Sequence, residues 1–255
     1  MRHLAIQIAY DGSDFHGWQV QPDQTTIQGL LQSVLGELEG ASVIIHGSGR
    51  TDVGVHALAQ VASFDLANPI PLENLPKAMN RLLPASIRVL AARQVPAEFH
   101  ARHSATAKTY EYRIHRSEIC SPFESRYAYA LPYPLDEAAM MSAAARFVGE
   151  HDFEALAAAG GEGKQYAIRT IYSSDLDRGG DRLTYRVRGS GFLYHMVRNI
   201  VGTLLEVGRG NLVPDAIPSL LESKDRTAAG PTAPPEGLFL VGVEYGEGRG
   251  LLADG

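Results

Sequence analysis

The stretch ASVIIHGSGRTDVGVHALAQVASFD, residues 41–65, places two apolar runs on either side of a glycine-rich turn. Its composition predicts strands over 42–46 and 56–66. The turn between them holds Arg50 and Asp52, two positions apart. A surface ion pair in a hairpin connection would explain this pair. Alternatively, a carboxylate beside a guanidinium stays ionised, which suits a nucleophile or a base better than a general acid.

The segments around this stretch complete one β-α-β-β-α-β half. The run LAIQIAY alternates as a strand does, and the helix that follows has one apolar face and a cap at Thr25 or Thr26. A second helix contains Pro76. The predicted elements of this half are strand 4–10, helix 25–40, strand 42–46, strand 56–66, helix 72–83 and strand 86–95.

The second half repeats this order without obvious sequence identity. Gly179 and Gly180 predict a hairpin, and Gly208 or Gly210 can end the long last helix. The predicted elements are strand 109–116, helix 135–150, strands 169–178 and 182–190, helix 192–210, a short helix 214–222 and strand 237–245. The sequence therefore predicts an α+β fold with two ferredoxin-like halves, 1–105 and 106–255, whose mainly antiparallel sheets flank a central catalytic cleft.

Composition bounds the class of protein. The chain has 255 residues, 45% hydrophobic and 20% charged, with a formal net charge of −6. No apolar run reaches the roughly 20 residues of a membrane helix, and no signal peptide is evident, so we expect a cytoplasmic protein without membrane contact. The single cysteine, Cys120, excludes an intrachain disulfide. No Cys/His cluster has zinc spacing, so we expect no metal.

Aromatic residues alternate on the strand that opens the second half. Lys108, Tyr110 and Tyr112 share one face of this strand, and Glu111 and Arg113 take the other. Aromatic rings beside a cation on an open sheet face can stack a nucleic-acid base. Core packing is the alternative, and it is stronger for Tyr112 than for Tyr110.

Two further segments carry candidate functional residues. In GSGFLYHMVRN, residues 189–199, His195 and Arg198 are predicted to lie on one helix face. Arg198 precedes apolar turns, so it needs a carboxylate partner, for which Asp52 is the first candidate. Residues 11–24 hold aromatic and amide side chains that suit either a loop anchor or RNA contacts.

Five segments together resemble the tRNA pseudouridine synthase I (TruA) family. The segments are YDGSDFHGWQVQP, GSGRTDVGVHALAQVASF, FHARHSATAKTYEYRI, GFLYHMVRNIVGTLLEVGRG and GPTAPPEGLFLVGVEY. They occur in family order and cover nearly the whole chain, and GRTDVGVHA is the most specific. Residues 153–171 depart from the family pattern because they are poorer in aromatic and polar side chains.

The resemblance implies an enzyme that isomerises uridine to pseudouridine at positions 38, 39 and 40 of the tRNA anticodon stem-loop. It implies that Asp52 is the catalytic nucleophile and that Arg50 helps to displace the target base. It also implies that Tyr110 acts in the active site and that Arg198 pairs with the aspartate. Neither metal nor organic cofactor is expected, because the reaction involves no redox change and no net hydrolysis.

The resemblance also implies the partners. The family is homodimeric, and each tRNA touches both subunits. Among the residues expected to bind the substrate are Tyr110, Lys108, Arg102 and His195. Phosphate contacts are assigned by neighbourhood alone to Lys77, Arg81, Arg102, Lys108 and Arg113.

Two other functions fit parts of the sequence. A non-catalytic RNA-binding module would explain surface aromatics on a sheet, but it would give no reason for an aspartate in a glycine loop. A glycoside or nucleoside hydrolase would also use an aspartate against C1′, although such enzymes usually use two carboxylates.

Overall fold

The structure, a computed structural model, describes residues 1–158 and 167–246 in full and the backbone of 249–250. Within these residues it has eleven strands and five α-helices. The strands are β1 (Arg2–Tyr10), β2 (His46–Gly47), β3 (His56–Leu66), β4 (Ile87–Gln94), β5 (Ala105–His115), β6 (Tyr129–Ala130), β7 (Gly149–Asp152), β8 (Ile168–Gly179), β9 (Arg182–Gly189), β10 (Leu238–Tyr245) and β11 (Arg249–Gly250). The helices are α1 (Ile27–Glu39), α2 (Leu75–Leu82), α3 (Glu137–Ala145), α4 (Met196–Gly208) and α5 (Ile217–Ser223).

The chain forms two compact units. Unit 1 contains Met1–Lys108 and Phe239–Gly255, and unit 2 contains Thr109–Leu238. The last strand, which the sequence assigns to the second half, therefore clusters with the first unit. The α+β class and a mainly antiparallel sheet are confirmed. The ferredoxin-like character of the two halves and the central cleft stay predictions.

Unit 1 is built on the strand order β4–β1–β3–β10. β1 pairs antiparallel with β3 and with β4, whereas β10 joins β3 in parallel. Helix α1 begins as predicted, because the Thr26 side chain accepts a hydrogen bond from the Gly29 N–H. Its apolar face is buried at Leu31 and Leu35. These elements fix both ends of the loop that carries Asp52, between β2 and β3.

Unit 2 is built on the strand order β5–β9–β8–β7. β8 and β9 form the predicted hairpin, in which Gly179 pairs with Arg182 and Gly180 has a φ of 59°. Helix α3 packs on β8 and on α4. Helix α4 is buried along most of its length. Part of the atypical segment 153–171 lies outside the described residues, namely 159–166.

Several predicted elements differ from the structure, and three of the differences have an identifiable cause. The strand over 42–46 is wrong except at His46, because the Ile45 carbonyl accepts from the Gln28 side chain at 2.9 Å instead of from a strand. Helix 135–150 ends at Ala145, and the chain turns into β7 at Gly149, whose φ is 118°. Helix 192–210 begins only at Met196, for a reason given below.

The helices of the described part of the chain bear on whether the chain crosses a membrane. None of the helices in that part has the length and apolarity needed to span a bilayer.

Candidate active site

The loop that carries Asp52 is held by its backbone. The Thr51 carbonyl accepts a hydrogen bond from the Trp18 N–H at 3.0 Å, and the Asp52 carbonyl accepts from the Val55 N–H at 3.1 Å. A Cβ added at Gly17 would lie 2.7 Å from the Thr51 oxygen, and one at Gly12 would overlap the Val55 carbonyl. The two glycines therefore permit a backbone-to-backbone contact that fixes the turn around Asp52.

A buried polar network lies under the same loop. The Tyr10 hydroxyl hydrogen-bonds the Thr51 hydroxyl at 2.8 Å, and the fully buried Gln60 donates to the Gly49 carbonyl at 2.9 Å. The Ser48 hydroxyl donates to the Gln60 side-chain oxygen at 2.6 Å. Burial raises the pKa of Tyr10 to about 12, so its hydroxyl stays protonated at neutral pH. The network supplies hydrogen-bond partners to polar groups on the inner side of the loop, while Asp52 itself is half-buried.

The aromatic segment after β1 acts first as an anchor. Phe15 and Trp18 are buried, and Trp18 lies so close to Gly47 that a Cβ there would be 2.5 Å from its ring. His16 and Gln21 of the same segment are exposed, and the Gln21 amide donates to the His16 carbonyl at the surface. Of the two roles open from the sequence, the structure supports anchoring for the two rings.

Basic side chains surround the outer side of the loop. Arg50 is exposed, and it lines a pocket of about 390 Å³ together with Arg102. Lys108 reaches the same loop, because a Cβ added at Gly49 would lie 3.2 Å from its ammonium nitrogen. The structure thus brings three of the predicted site residues together within unit 1. Their charge makes this surface attractive to a phosphate group.

The two tyrosines of strand β5 have different surroundings. Tyr112 is fully buried, and its hydroxyl donates to the Pro234 carbonyl at 2.8 Å, so it is a core residue. Tyr110 is 7% exposed, and its ring meets Phe192 edge-on with centroids 5.0 Å apart. The predicted alternation on β5 is confirmed by its burial pattern, and Glu111 on the other face pairs with Arg113. Burial opposes ionisation of Glu111, but hydrogen bonds from Arg186 and Arg113 lower its pKa. This ion pair uses part of the Arg113 guanidinium, which the sequence analysis assigns to a phosphate contact.

The segment before α4 contains an unusual backbone. His195 has a φ of 60° and a ψ of 2°, the left-handed region that non-glycine residues rarely occupy. The helix therefore begins at Met196, and the prediction that His195 and Arg198 share a helix face is wrong. The His195 carbonyl accepts from the Asn199 N–H at 2.9 Å. The His195 ring lies 3.9 Å from that of Tyr194.

Arg198 lies in the first turn of α4 and is half-buried. Its Nε donates to the Ala233 carbonyl at 2.7 Å, which orients the guanidinium within unit 2. Tyr110 thus contacts the segment before α4 through Phe192, and Arg198 follows in the first turn of α4. The pairing of Arg198 with Asp52 stays a prediction.

Three histidines near the loop were not singled out from the sequence. His46, His100 and His103 line the same pocket as Arg50 and Arg102. Two of them lie in the run FHARHS, where a short spacing of His, Arg and His on a loop is the signal that could have found them. The third lies on β2, and only the fold brings it to the other two.

The family model for tRNA pseudouridine synthase matches residues 6–104 and 143–246. The chain belongs to the tRNA pseudouridine synthase family. This membership confirms the predicted family and enzyme class, an isomerase. The matched residues include Asp52, its loop, the pocket and the start of α4, whereas Tyr110 lies between the two matched segments.

Curated members of the family resemble the chain over nearly its full length. The tRNA pseudouridine synthase A of Solibacter usitatus is 58% identical over 249 residues, which is 96% of this chain and 100% of that protein. The protein of the same name from Halalkalibacterium halodurans is 46% identical over 240 residues, 94% of this chain and 91% of that protein. The one from Caldicellulosiruptor bescii is 44% identical over 245 residues, 96% of this chain and 100% of that protein.

Solved structures are more distant. A crystal structure of the archaeal box H/ACA sRNP Nop10–Cbf5 complex matches with a TM-score of 0.36 and 14% identity, over 79% of this chain and 43% of that one. A structure of an H/ACA RNP bound to a substrate RNA containing 2′-deoxyuridine matches with a TM-score of 0.34 and 13% identity, over 80% of this chain and 53% of that one.

Proposed function

We propose that this synthase isomerises uridine to pseudouridine at positions 38, 39 and 40 of the tRNA anticodon stem-loop, with Asp52 as the catalytic nucleophile. The names of the curated relatives support a tRNA substrate. The observation that carries the proposal is the Asp52 turn, whose backbone is fixed from below while Arg50, Arg102 and Lys108 lie around its outer side. A fixed carboxylate next to a basic surface supports chemistry on a bound nucleic acid.

The reaction needs only a rearrangement of bonds. The C1′–N1 bond breaks, the uracil turns, and a C1′–C5 bond forms. N1 gains a proton and C5 loses one, so atoms and electrons balance without an oxidant, a reductant or water. The protein must therefore hold the detached base and move one proton.

Asp52 can begin this rearrangement in three ways. It can attack C6 of the uracil, attack C1′ of the ribose, or remove a proton from the ribose as a base. Each route needs an ionised carboxylate that points at the nucleotide from a backbone that does not move. The hydrogen bond from the Val55 N–H to the Asp52 carbonyl and the close contact of Gly17 with Thr51 support that requirement.

The other residues are assigned distinct roles. Arg50 is exposed next to Asp52, where a guanidinium can take the place of the target base in the stack. Tyr110 offers a ring that can stack on uracil and a hydroxyl that can carry the proton. Arg198 is assigned the role of keeping Asp52 charged, and the bond from its Nε to the Ala233 carbonyl supports a fixed orientation.

Lys108, Arg102 and His195 are assigned to substrate binding. The two cations suit phosphate oxygens, and the recognition is by the shape of the stem-loop, as expected for RNA whose bases are paired around the target. We further propose a cytoplasmic homodimer whose two subunits both touch one tRNA. Each half is assigned a ferredoxin-like fold, supported in unit 1 by the order β4–β1–β3 with β2 beside β3.

Product analysis tests this function. Purified protein is incubated with an unmodified tRNA transcript, and the RNA is mapped for pseudouridine and weighed by mass spectrometry. The proposal expects pseudouridine at positions 38–40 with no change in RNA mass. Loss of uracil from the RNA would identify a hydrolase instead, and tight binding without any product would identify an RNA-binding module.

A further inference from the structure

The pocket beside the Asp52 loop has an unusual lining. Arg50 and Arg102 contribute permanent positive charge, and His46, His100 and His103 contribute three imidazoles. The remaining lining residues are uncharged, and all of the lining lies in described parts of unit 1: Trp18, Gln19, Gln28, Ile44, Ile45, Gly47 and Gly49. A pocket whose ionisable lining consists only of bases is built for an anion.

The three imidazoles form one continuous row. The His100 ring lies between the other two, with its centroid 4.9 Å from that of His46 and 4.4 Å from that of His103. The outer two are exposed, whereas His100 is half-buried. Their spacing means that a charge on one ring is felt by the next.

Hydrogen bonds fix the protonation of the central ring. The backbone N–H groups of Arg102 and His103 both point at the Nδ1 of His100, at 3.1 and 3.4 Å. That nitrogen is therefore an acceptor, and the proton of the neutral ring sits on Nε2. Burial and the positive neighbours His103, His46 and Arg102 lower the pKa of His100. The lowered pKa favours the neutral form of the central ring, which leaves the exposed His46 and His103 as the imidazoles that face an anion.

Several elements place ionisable groups around the pocket, and β1 and β3 contribute His3 and Asp65, which pair with each other next to the Phe99 carbonyl. β2 contributes His46, and the Asp52 loop contributes Arg50, with Asp52 itself two positions on. β5 contributes Lys108, which lies over Gly49. On the far side of the His100 segment, the Tyr245 hydroxyl donates to the Ala101 carbonyl. The segment from residue 18 and helix α1 contribute only Trp18, Gln19 and Gln28, which do not titrate.

A metal ion does not explain the row. Among the residues that the structure describes, no group of three His, Cys, Asp or Glu side chains has the geometry of a metal site. The Nδ1 of His100 is already used by two backbone N–H groups, and the guanidinium of Arg102 would repel a cation. An anion satisfies both constraints, because the guanidinium groups bind it and the outer imidazoles gain a proton beside it.

We propose that this pocket is a proton-linked binding site for a phosphodiester of the bound RNA, with Arg102 as its permanent contact and His46 and His103 as its pH-dependent contacts. The assignment of RNA as the occupant rests on the proposed function. It is favoured over a free oxyanion because four of the charged groups are exposed at the rim. A polymer backbone can cross such an open site, whereas a small anion is held better by enclosure.

The proposal fixes the sign of the pH dependence. A bound phosphodiester stabilises the protonated form of His46 and His103, so binding takes up protons. RNA affinity then rises as the pH falls, and the charge of the phosphodiester itself does not change over this range. Replacing the two outer histidines by glutamine keeps polar side chains of similar reach and removes the proton uptake.

Equilibrium binding tests the proposal. The probe is a labelled anticodon stem-loop with cytidine in place of the target uridines, so that no turnover occurs. Its affinity is measured from about pH 8 to about pH 6 at constant ionic strength. The proteins are the parent, the double variant His46→Gln/His103→Gln and the control His151→Gln. A parallel series replaces part of the chloride by sulfate at the same ionic strength.

The parent and His151→Gln are expected to gain about fivefold in RNA affinity as the pH falls over this range, and the double variant less than about twofold. Sulfate is expected to compete with RNA more strongly at the lower pH in the parent and in His151→Gln, but not in the double variant. Equal gains in parent and double variant would overturn the proposal. Sulfate binding that depends on these histidines while RNA affinity stays flat would overturn RNA as the occupant.

Activity separates this inference from the proposed function. pH-dependent binding that is lost in the double variant, together with no pseudouridine in any tRNA, would retain the site and reject the function. If the enzyme forms pseudouridine but its RNA affinity does not change with pH, the proposed function stands and the proposed proton-linked site is rejected. Melting curves of the double variant verify that these exposed side chains were replaced without unfolding the protein.

Discussion

The Asp52 loop, residues 47–55, and the segment before α4, residues 189–198, are fixed in opposite ways. The first is held by close backbone contacts at glycines and by a buried hydrogen-bond network. The second depends on a non-glycine residue, His195, in the left-handed region at the start of a helix. One site segment is therefore relaxed and supported from below, and the other stores backbone strain.

This difference indicates which substitutions each of the two segments tolerates. A Cβ added at Gly12 or Gly17, which pack against the loop, would meet loop backbone that cannot move aside. At the start of α4, a residue without a Cβ would relieve strain rather than create it. The following predictions separate the two cases and are ordered by their expected effect on the free energy of unfolding.

Gly17→Ala is expected to have the largest effect. The new Cβ would meet the Thr51 oxygen at 2.7 Å, and the φ of 77° is also unfavourable for alanine. We expect a loss of about 2–4 kcal/mol in unfolding free energy, with reduced turnover because the Asp52 turn is displaced. Denaturant unfolding measures the first effect, and single-turnover kinetics measure the second.

Gly40→Ala is the matched control for this change. Gly40 has nearly the same φ, 76°, but a Cβ there would meet nothing within 4 Å. It should cost only the conformational part, about 1 kcal/mol, and leave turnover unchanged. If the two variants were equally stable and equally active, the close contact between Gly17 and the loop would have no energetic weight.

Tyr10→Phe is expected to have the next largest effect. It removes the hydroxyl that bonds Thr51, so a buried polar group under the loop is left with one partner fewer. The expected cost is about 1–3 kcal/mol in unfolding free energy. Turnover should also fall, because Thr51 precedes Asp52 directly.

Tyr185→Phe distinguishes stability from function here. Its hydroxyl is as buried as that of Tyr10 and bonds the Ser174 hydroxyl at the same distance, 2.8 Å, but within unit 2. The stability loss should be similar, while turnover at a temperature where both variants are folded should stay at the parental level. Equal loss of turnover in both would mean that the network acts only through global stability.

His195 gives the smallest effect and the opposite sign. Compared with His195→Ala, the variant His195→Gly should be more stable by about 1 kcal/mol, because glycine adopts a φ of 60° without strain. Both variants lose the imidazole, so the comparison isolates the backbone. Thermal unfolding measures the difference, and a less stable glycine variant would show that the helix start is not strained.

The sequence predicted most of the fold because its periodic patterns are strong. The alternation of β5 and the glycines of the β8–β9 hairpin are local signals, and both are confirmed. The predicted strand at 42–46 failed because a side chain, Gln28, takes the place of a strand partner at the Ile45 carbonyl. When a side chain replaces a strand as the hydrogen-bond partner, the pattern of apolar residues in the sequence does not change.

The candidate site was predicted in part. The unusual Arg-x-Asp turn and Lys108 could be found from residue type and spacing, whereas Arg102 was assigned by neighbourhood alone, and the structure gathers them around one loop. The row of His46, His100 and His103 could not, because its members come from segments about 54 positions apart that only the tertiary structure joins. The torsion at His195 was hidden as well, since histidine seldom adopts it.

Single-turnover isomerisation by Asp52→Asn tests the central claim most directly. The amide is nearly isosteric, so the pinned turn keeps its backbone contacts, but it is a poor nucleophile and a poor base. With enzyme in excess over tRNA, we predict no detectable pseudouridine, parental tRNA binding, and full activity in the control Asp23→Asn, whose exposed carboxylate lies on another loop of unit 1. A rate within about tenfold of the parent, roughly 1.4 kcal/mol in barrier, would contradict the account and remove Asp52 from the chemistry.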